Sequence, residues 1–152
     1  MADSFESPMK QTYKTRKYLI ATHGTFAAGV KSSLEMIIGS TAHIFIIQAY
    51  VDEHIAIEDE IKTVLEQVSD EDELIIFSDI LGGSVTNQLL QQALKPNVHI
   101  ISGFNLPLLI DVILGDANSP IDEVINNAIV NAKEQMVYVS KLMELQKQIG
   151  LE

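Results

Sequence analysis

Two residues able to do proton and phosphoryl chemistry follow two similar apolar runs. His23 follows "YLIAT" and Asp79 follows "LIIFS", 56 positions later. A neutral imidazole attacks phosphorus well when one ring nitrogen is free and the other is held by an acceptor. A carboxylate holds it well: it fixes the tautomer, orients the ring and stabilises the cation that forms on attack. Gly24 and Thr25 follow the histidine, and Gly82, Gly83 and Ser84 come shortly after the aspartate. Glycines let backbone come close to a phosphate, and the Ser84 hydroxyl can donate to its oxygen. Helices starting after both loops would offer free N–H groups and positive dipole ends. The candidate set is therefore His23 and Asp79 for chemistry, with Gly24, Thr25, Gly82, Gly83 and Ser84 for phosphate contact. A plainer reading stands beside it, since histidine and aspartate both suit turns and could serve only as local caps.

The elements that must position these residues alternate. Tyr18–Thr22 reads as a buried strand ending at His-Gly. Phe26, Val30, Leu34, Ile37 and Ile38 recur at helical spacing and stop at Gly39. Ala42–Val51 is a second strand, and Ile57, Ile61, Val64, Leu65 and Val68 form the stripe of a second helix. Leu74–Ser78 is a third strand, Val85–Leu94 a third helix, Asn97–Ser102 a fourth strand and Leu106–Leu114 a short helix. Ser119-Pro120 opens another helix, running to about Ala132. "MVYVSKLM" (Met136–Met143) is β-branched and aromatic, which favours a last strand, with a helix continuing to Gly150 as the rival.

Strands separated by helix-length segments predict a doubly wound, mainly parallel sheet of order 2-1-3-4 with helices on both faces. In that order strands 1 and 3 are adjacent and their connections leave to opposite faces. Ligands gather at such a switch point, at the carboxyl ends of the strands. His23 and Asp79 should therefore face each other across one crevice.

The chain has 152 residues, 47% of them hydrophobic, enough for one domain with a sizeable core. Residues 17–152 are expected to form that domain, with 1–16 as a flexible extension. Ten Lys+Arg against 21 Asp+Glu give a formal net charge of −11, which argues against nucleic acid as a partner. The charge permits a partner with a basic docking face. Without cysteine there is no disulfide, thiolate catalysis or Cys-based zinc site, and a reducing cytoplasm fits. No run approaches the ~18 apolar residues of a membrane span.

Other chemistries fit less well. "GTFAAGVKS" (Gly24–Ser32) nearly spells a P-loop, but Val30 intervenes between Gly29 and Lys31. One extra helical residue turns Lys31 away by about 100°. Ser84, His23 and Asp79 could make a serine hydrolase, yet G-x-S-x-G is absent and the histidine would have to lie between the other two. His43, His54 and His99 show no i, i+3 or i, i+4 pairing, so no metal site is expected, nor any cofactor.

Three loop motifs carry a resemblance. "THG" after strand 1, "DILGGSVTN" after strand 3 and "SGFNLPLL" after strand 4 together resemble the EIIA domain of the mannose-type (mannose/fructose/sorbose) phosphoenolpyruvate-dependent sugar phosphotransferase system. The similarity runs from about Lys17 to Pro120 and more weakly to about Met143. It implies a cytoplasmic phosphocarrier with His23 as active histidine and Asp79 as its orienting aspartate. Phosphate would arrive from phospho-HPr, itself charged from phosphoenolpyruvate by enzyme I. It would leave for a histidine of EIIB, while membrane EIIC and EIID import the sugar. The chain stops at Glu152, so EIIB is expected on a separate polypeptide. Members of the family are homodimers in which a C-terminal strand pairs with the neighbour's sheet, which favours strand at Met136–Met143. Val85-Thr86 stands where the family starts its helix with Ser-Pro. The phosphotransfer subunit of dihydroxyacetone kinases shares fold and histidine and remains an alternative, but the Gly-Gly-Ser and Asn-Leu-Pro turns favour the sugar system.

Overall fold

A computed structural model describes residues 14–150. The expected N-terminal extension lies outside the described residues up to position 13, and Thr15 already belongs to the first strand. The chain divides into two compact units, Met1–Leu106 and Pro107–Glu152.

The first unit holds a four-stranded, wholly parallel sheet. In chain order its elements are β1 (Thr15–His23), α1 (Phe26–Ile38), β2 (Ile44–Ala49), α2 (Ile57–Leu65), β3 (Asp72–Ser78), α3 (Ser84–Gln92) and β4 (Val98–Ser102). The strand order is β2-β1-β3-β4, as the alternation predicts. β1 is longer than the expected Tyr18–Thr22, and His23 is its last residue rather than part of the turn. β2 stops at Ala49, short of Val51.

Side chains alternate across the two faces of the sheet. Leu19, Ala21, Ile47, Ala49, Leu74, Ile76 and Val98 point one way, where they meet Ile57, Ile61 and Val64 of α2 and Val85 and Leu89 of α3. Burying each of the Val, Leu and Ile side chains among them stabilises the fold by about 1.5–3 kcal/mol. Thr22 points the other way and its hydroxyl accepts from Ala27 N at 2.8 Å, which fixes α1 on the opposite face. Lys31 Nζ, on the same helix, donates to Ile44 O at 3.1 Å. Lys31 is thus engaged with the first residue of β2, in keeping with the failed P-loop spacing. Connections to both faces make the gap between β1 and β3 the switch point.

The second unit holds α4 (Leu106–Ile113, which begins at the boundary), α5 (Ile121–Glu134) and α6 (Val139–Gln148). The strand expected at Met136–Met143 is not formed. Val139–Gln148 is helical, and Met136–Tyr138 is irregular. A strand needs a ladder partner, and β-propensity reflects that setting more than the backbone itself. Without a ladder, "SKLMELQKQ" follows its helix-forming residues, and Lys141 pairs with Glu144 one turn on at 3.2 Å.

Candidate active site

The sheet register brings the two candidate residues together. Ala21 is level with Ser78, so Asp79 stands level with the last turnward residues of β1. Asp79 Oδ2 accepts two hydrogen bonds from His23: the main-chain N–H at 2.9 Å and ring Nδ1 at 2.8 Å. Its other oxygen, Oδ1, accepts from Ile80 N at 3.0 Å. The carboxylate is shielded, its side chain 9% exposed, while the imidazole is 40% exposed. One group is protected for holding; the other is open for reaction.

Burial resists the ionisation of Asp79, but the His23 N–H, the His23 ring and its charge outweigh it. They hold the carboxyl below its ordinary value. A carboxylate only accepts, so Nδ1 carries the ring proton and Nε2 carries the lone pair in the neutral ring. Because the folded pKa lies below the unfolded one, the unfolded chain takes up the proton first as pH falls. The resulting stability is present above about pH 4 and is lost as pH drops through the folded pKa. Thermal unfolding from about pH 7 to about pH 3 should show wild-type Tm falling more steeply at the acid end than that of Asp79→Asn. Parallel curves would remove Asp79 from the acid transition.

The remaining candidates surround Nε2 unevenly. Ser84 Oγ lies 3.3 Å from it. Gly83 is packed so closely that an added Cβ would stand 3.5 Å from His23 Cε1 and 3.3 Å from Ile80 O. Gly82 has φ 79°, a left-handed conformation that lets the chain turn into α3. Gly24, also left-handed at φ 57°, donates its N–H to Ala49 O at 3.0 Å, tying this turn to the end of β2. Thr25 is the N-cap residue of α1, is exposed and makes no side-chain cap bond. Ser84, His23 and Asp79 do line up in the order a serine hydrolase uses, which spacing alone gave no reason to expect. Phe104, after β4, stacks on Phe26 at 5.5 Å, so the fourth strand's loop meets the start of α1.

Two residues of the site have parts that no motif assigns to them. Thr86 Oγ1 donates to Ile80 O at 2.7 Å and contacts Ser78 Oγ at 2.7 Å, bracing the loop that carries Asp79. Tyr50 follows β2 and its hydroxyl donates to Ser84 Oγ at 2.8 Å. Its ring lies 5.7 Å from that of His23. The signal for Tyr50 was its place at the carboxyl end of the strand beside β1. Among the described residues, no helix is long and apolar enough to cross a membrane. Nor does any group of three or more His, Asp or Glu there suit a metal ion.

The chain is similar to known proteins over most of its length. The family model EIIA-man, described as PTS system fructose IIA component, matches residues 17–129. The PTS system fructose-specific EIIA component of Bacillus subtilis (strain 168) is 24% identical over 128 residues, covering 83% of this chain and 88% of that protein. A crystal structure of a candidate phosphoenolpyruvate-dependent sugar phosphotransferase permease from Klebsiella pneumoniae is 34% identical. It superposes with a TM-score of 0.82 over 88% of this chain and 97% of that one. The PTS IIA protein associated with the fucose utilization operon of Streptococcus pneumoniae is 27% identical. Its TM-score is 0.73 over 88% of this chain and 99% of its own. The parallel 2-1-3-4 sheet is common ground with these structures, and the chain belongs to the EIIA-man family as a IIA component of a sugar phosphotransferase system.

Proposed function

We propose that the chain carries a phosphoryl group on Nε2 of His23, accepting it from phospho-HPr and passing it to EIIB during sugar uptake. One observation carries this reading: Asp79 occupies Nδ1 at 2.8 Å, leaving Nε2 as the half-open nitrogen. In the transfer, the bond from Nε2 to phosphorus forms as the donor's N–P bond breaks. The electron pair of the old bond returns to the donor nitrogen. The Nδ1 proton stays in place, and the Asp79 carboxylate balances the positive ring. The Ser84 hydroxyl turns to a phosphoryl oxygen, and Gly82 and Gly83 leave room for it, with Gly24 and Thr25 on the facing turn.

The surroundings suit a protein donor. Beside Tyr50 lies an open cavity of about 340 Å³ whose lining includes Asp52, Glu53 and Glu58. Ile80 and Leu81 are exposed on the neighbouring turn. Acidic and apolar side chains together fit a partner with a basic, partly apolar face. The carrier acts in the cytoplasm, between HPr and the EIIB that serves the membrane EIIC and EIID. It works as a homodimer, a second copy covering the exposed Met136, Tyr138, Val139 and Leu145.

A second reading is favoured by one distance, the 3.3 Å from Ser84 Oγ to Nε2: a Ser84-based hydrolase. One labelling experiment separates the two. With radioactive phosphoenolpyruvate, enzyme I and HPr, the chain should gain an acid-labile, alkali-stable mark, and a fluorophosphonate probe should leave Ser84 untouched. A tagged Ser84 without the phosphate mark would reverse the assignment.

A further inference from the structure

Tyr50 is the one described non-glycine residue with positive φ, at 68°. Non-glycine residues rarely hold that conformation unless surrounding contacts require it, and such outliers gather at functional sites. The contacts here are specific. The turn is pinned by Gly24 N donating to Ala49 O at 3.0 Å. The Tyr50 ring lies 5.7 Å from the imidazole at a 46° tilt. Its hydroxyl donates to Ser84 Oγ at 2.8 Å, and Ser84 Oγ lies 3.3 Å from Nε2.

These bonds have a direction. Asp79 claims the Nδ1 proton, so Nε2 of the neutral ring is an acceptor. Tyr50 fills a lone pair of Ser84, which leaves the serine's own proton to point at Nε2. Donation thus runs from Tyr50 to Ser84 to His23. Accepting a hydrogen bond makes a hydroxyl a stronger donor. We propose that Tyr50 is a positioning residue, which holds the Ser84 hydroxyl aimed at the position of the incoming phosphoryl group and strengthens its donation. The inference rests on the phosphocarrier reading for its kinetic consequence, but its hydrogen-bond chain exists without phosphate. Tyr50 makes no hydrogen bond of its own to the imidazole and acts on Nε2 through Ser84, and neither the histidine nor the aspartate motif reveals it.

Tyr50→Phe tests this, since it keeps the ring and the backbone and removes only the donor. The first measurement is the ¹⁵N spectrum of histidine-labelled protein, with the His23 signals identified by their loss in His23→Gln. In Tyr50→Phe the Nε2 resonance should move away from the hydrogen-bonded acceptor position towards that of a free acceptor nitrogen. The second measurement is phosphoryl uptake from phospho-HPr. It should slow about five-fold, equivalent to about 1 kcal/mol, the worth of one neutral hydrogen bond. The third is the double variant. In a Ser84→Ala background Tyr50→Phe should slow uptake no further, because its effect passes through the serine. A merely structural tyrosine would add its own loss there. An unchanged Nε2 resonance, or an equal slowing in the Ser84→Ala background, overturns the proposal. If the resonance moves as expected while wild-type protein gains no phosphate, the phosphocarrier reading fails and the positioning of Ser84 stands.

Discussion

His23→Ala is expected to abolish phosphoryl uptake entirely. A covalent relay differs from an enzyme that only binds its substrate: without the attacking nitrogen there is no intermediate to slow down. Two of the other three histidines stand at the far end of the sheet, and His54 is on the loop after β2, where its main-chain N–H donates to Asp52 Oδ1. Of these three, His99 pairs with Glu73 near the start of β3, and His43 lies against Tyr18 at the start of β2. Both are at the amino ends of the strands, away from the loops at the carboxyl ends. The fold should survive. The His23 side chain is 40% exposed, and Asp79 keeps its bonds from the main-chain N–H groups of residue 23 and Ile80. Loss of the ring bond to the carboxylate should cost about 1.5–3 kcal/mol. The check is the labelling experiment run alongside circular dichroism. Label retained by folded His23→Ala protein would move the acceptor elsewhere in the chain.

Asp79→Asn should slow transfer by about one to two orders of magnitude while leaving the protein folded. The reason is an acceptor count. Asp79 receives three N–H groups, two on Oδ2 and one on Oδ1. An amide has only one oxygen. If that oxygen faces His23, the NH₂ group opposes Ile80 N–H; if it faces Ile80, the NH₂ group opposes both His23 donors. The second arrangement also drives the ring proton to Nε2, the nitrogen that must attack. Either way the negative charge that balances the phosphorylated ring is gone. A charge-assisted bond of this kind contributes about 1.5–3 kcal/mol, which sets the expected rate loss. Single-turnover transfer from phospho-HPr is the measurement. Kinetics equal to wild type would show that Asp79 merely shapes the loop, and a chain that fails to fold would show a larger structural role.

Much of the first unit was legible along the chain because its signals are local and agree. Apolar runs at strand length, stripes at helical spacing and a glycine stop at Gly39 all point to one alternating pattern. Once that pattern is granted, right-handed crossovers leave few orders, and 2-1-3-4 places His23 opposite Asp79. Boundaries were less well marked. His23 is the final residue of β1 and β2 ends at Ala49, since a ladder ends where its hydrogen-bond partners end.

At Met136–Met143 the local signal misled. Val137, Tyr138 and Val139 have β-forming side chains, yet Val139 opens a helix. Strand preference is realised only against a partner, and spacing in one chain does not supply it.

By itself, then, the sequence determined the order of elements in the first unit, the switch point and the presence there of an imidazole and a carboxylate. These follow from periodicity and from a crossover rule that holds for any chain of this pattern. Only the tertiary structure decided which imidazole nitrogen the carboxylate holds and which one faces Ser84. That depends on Asp79 Oδ2 reaching Nδ1 at 2.8 Å, a matter of loop conformation after two adjacent strands. It also decided that Tyr50, from a third loop, sits behind Ser84. Three segments meet there within hydrogen-bond reach, and such convergence is set by packing across the sheet, which no spacing along the chain encodes.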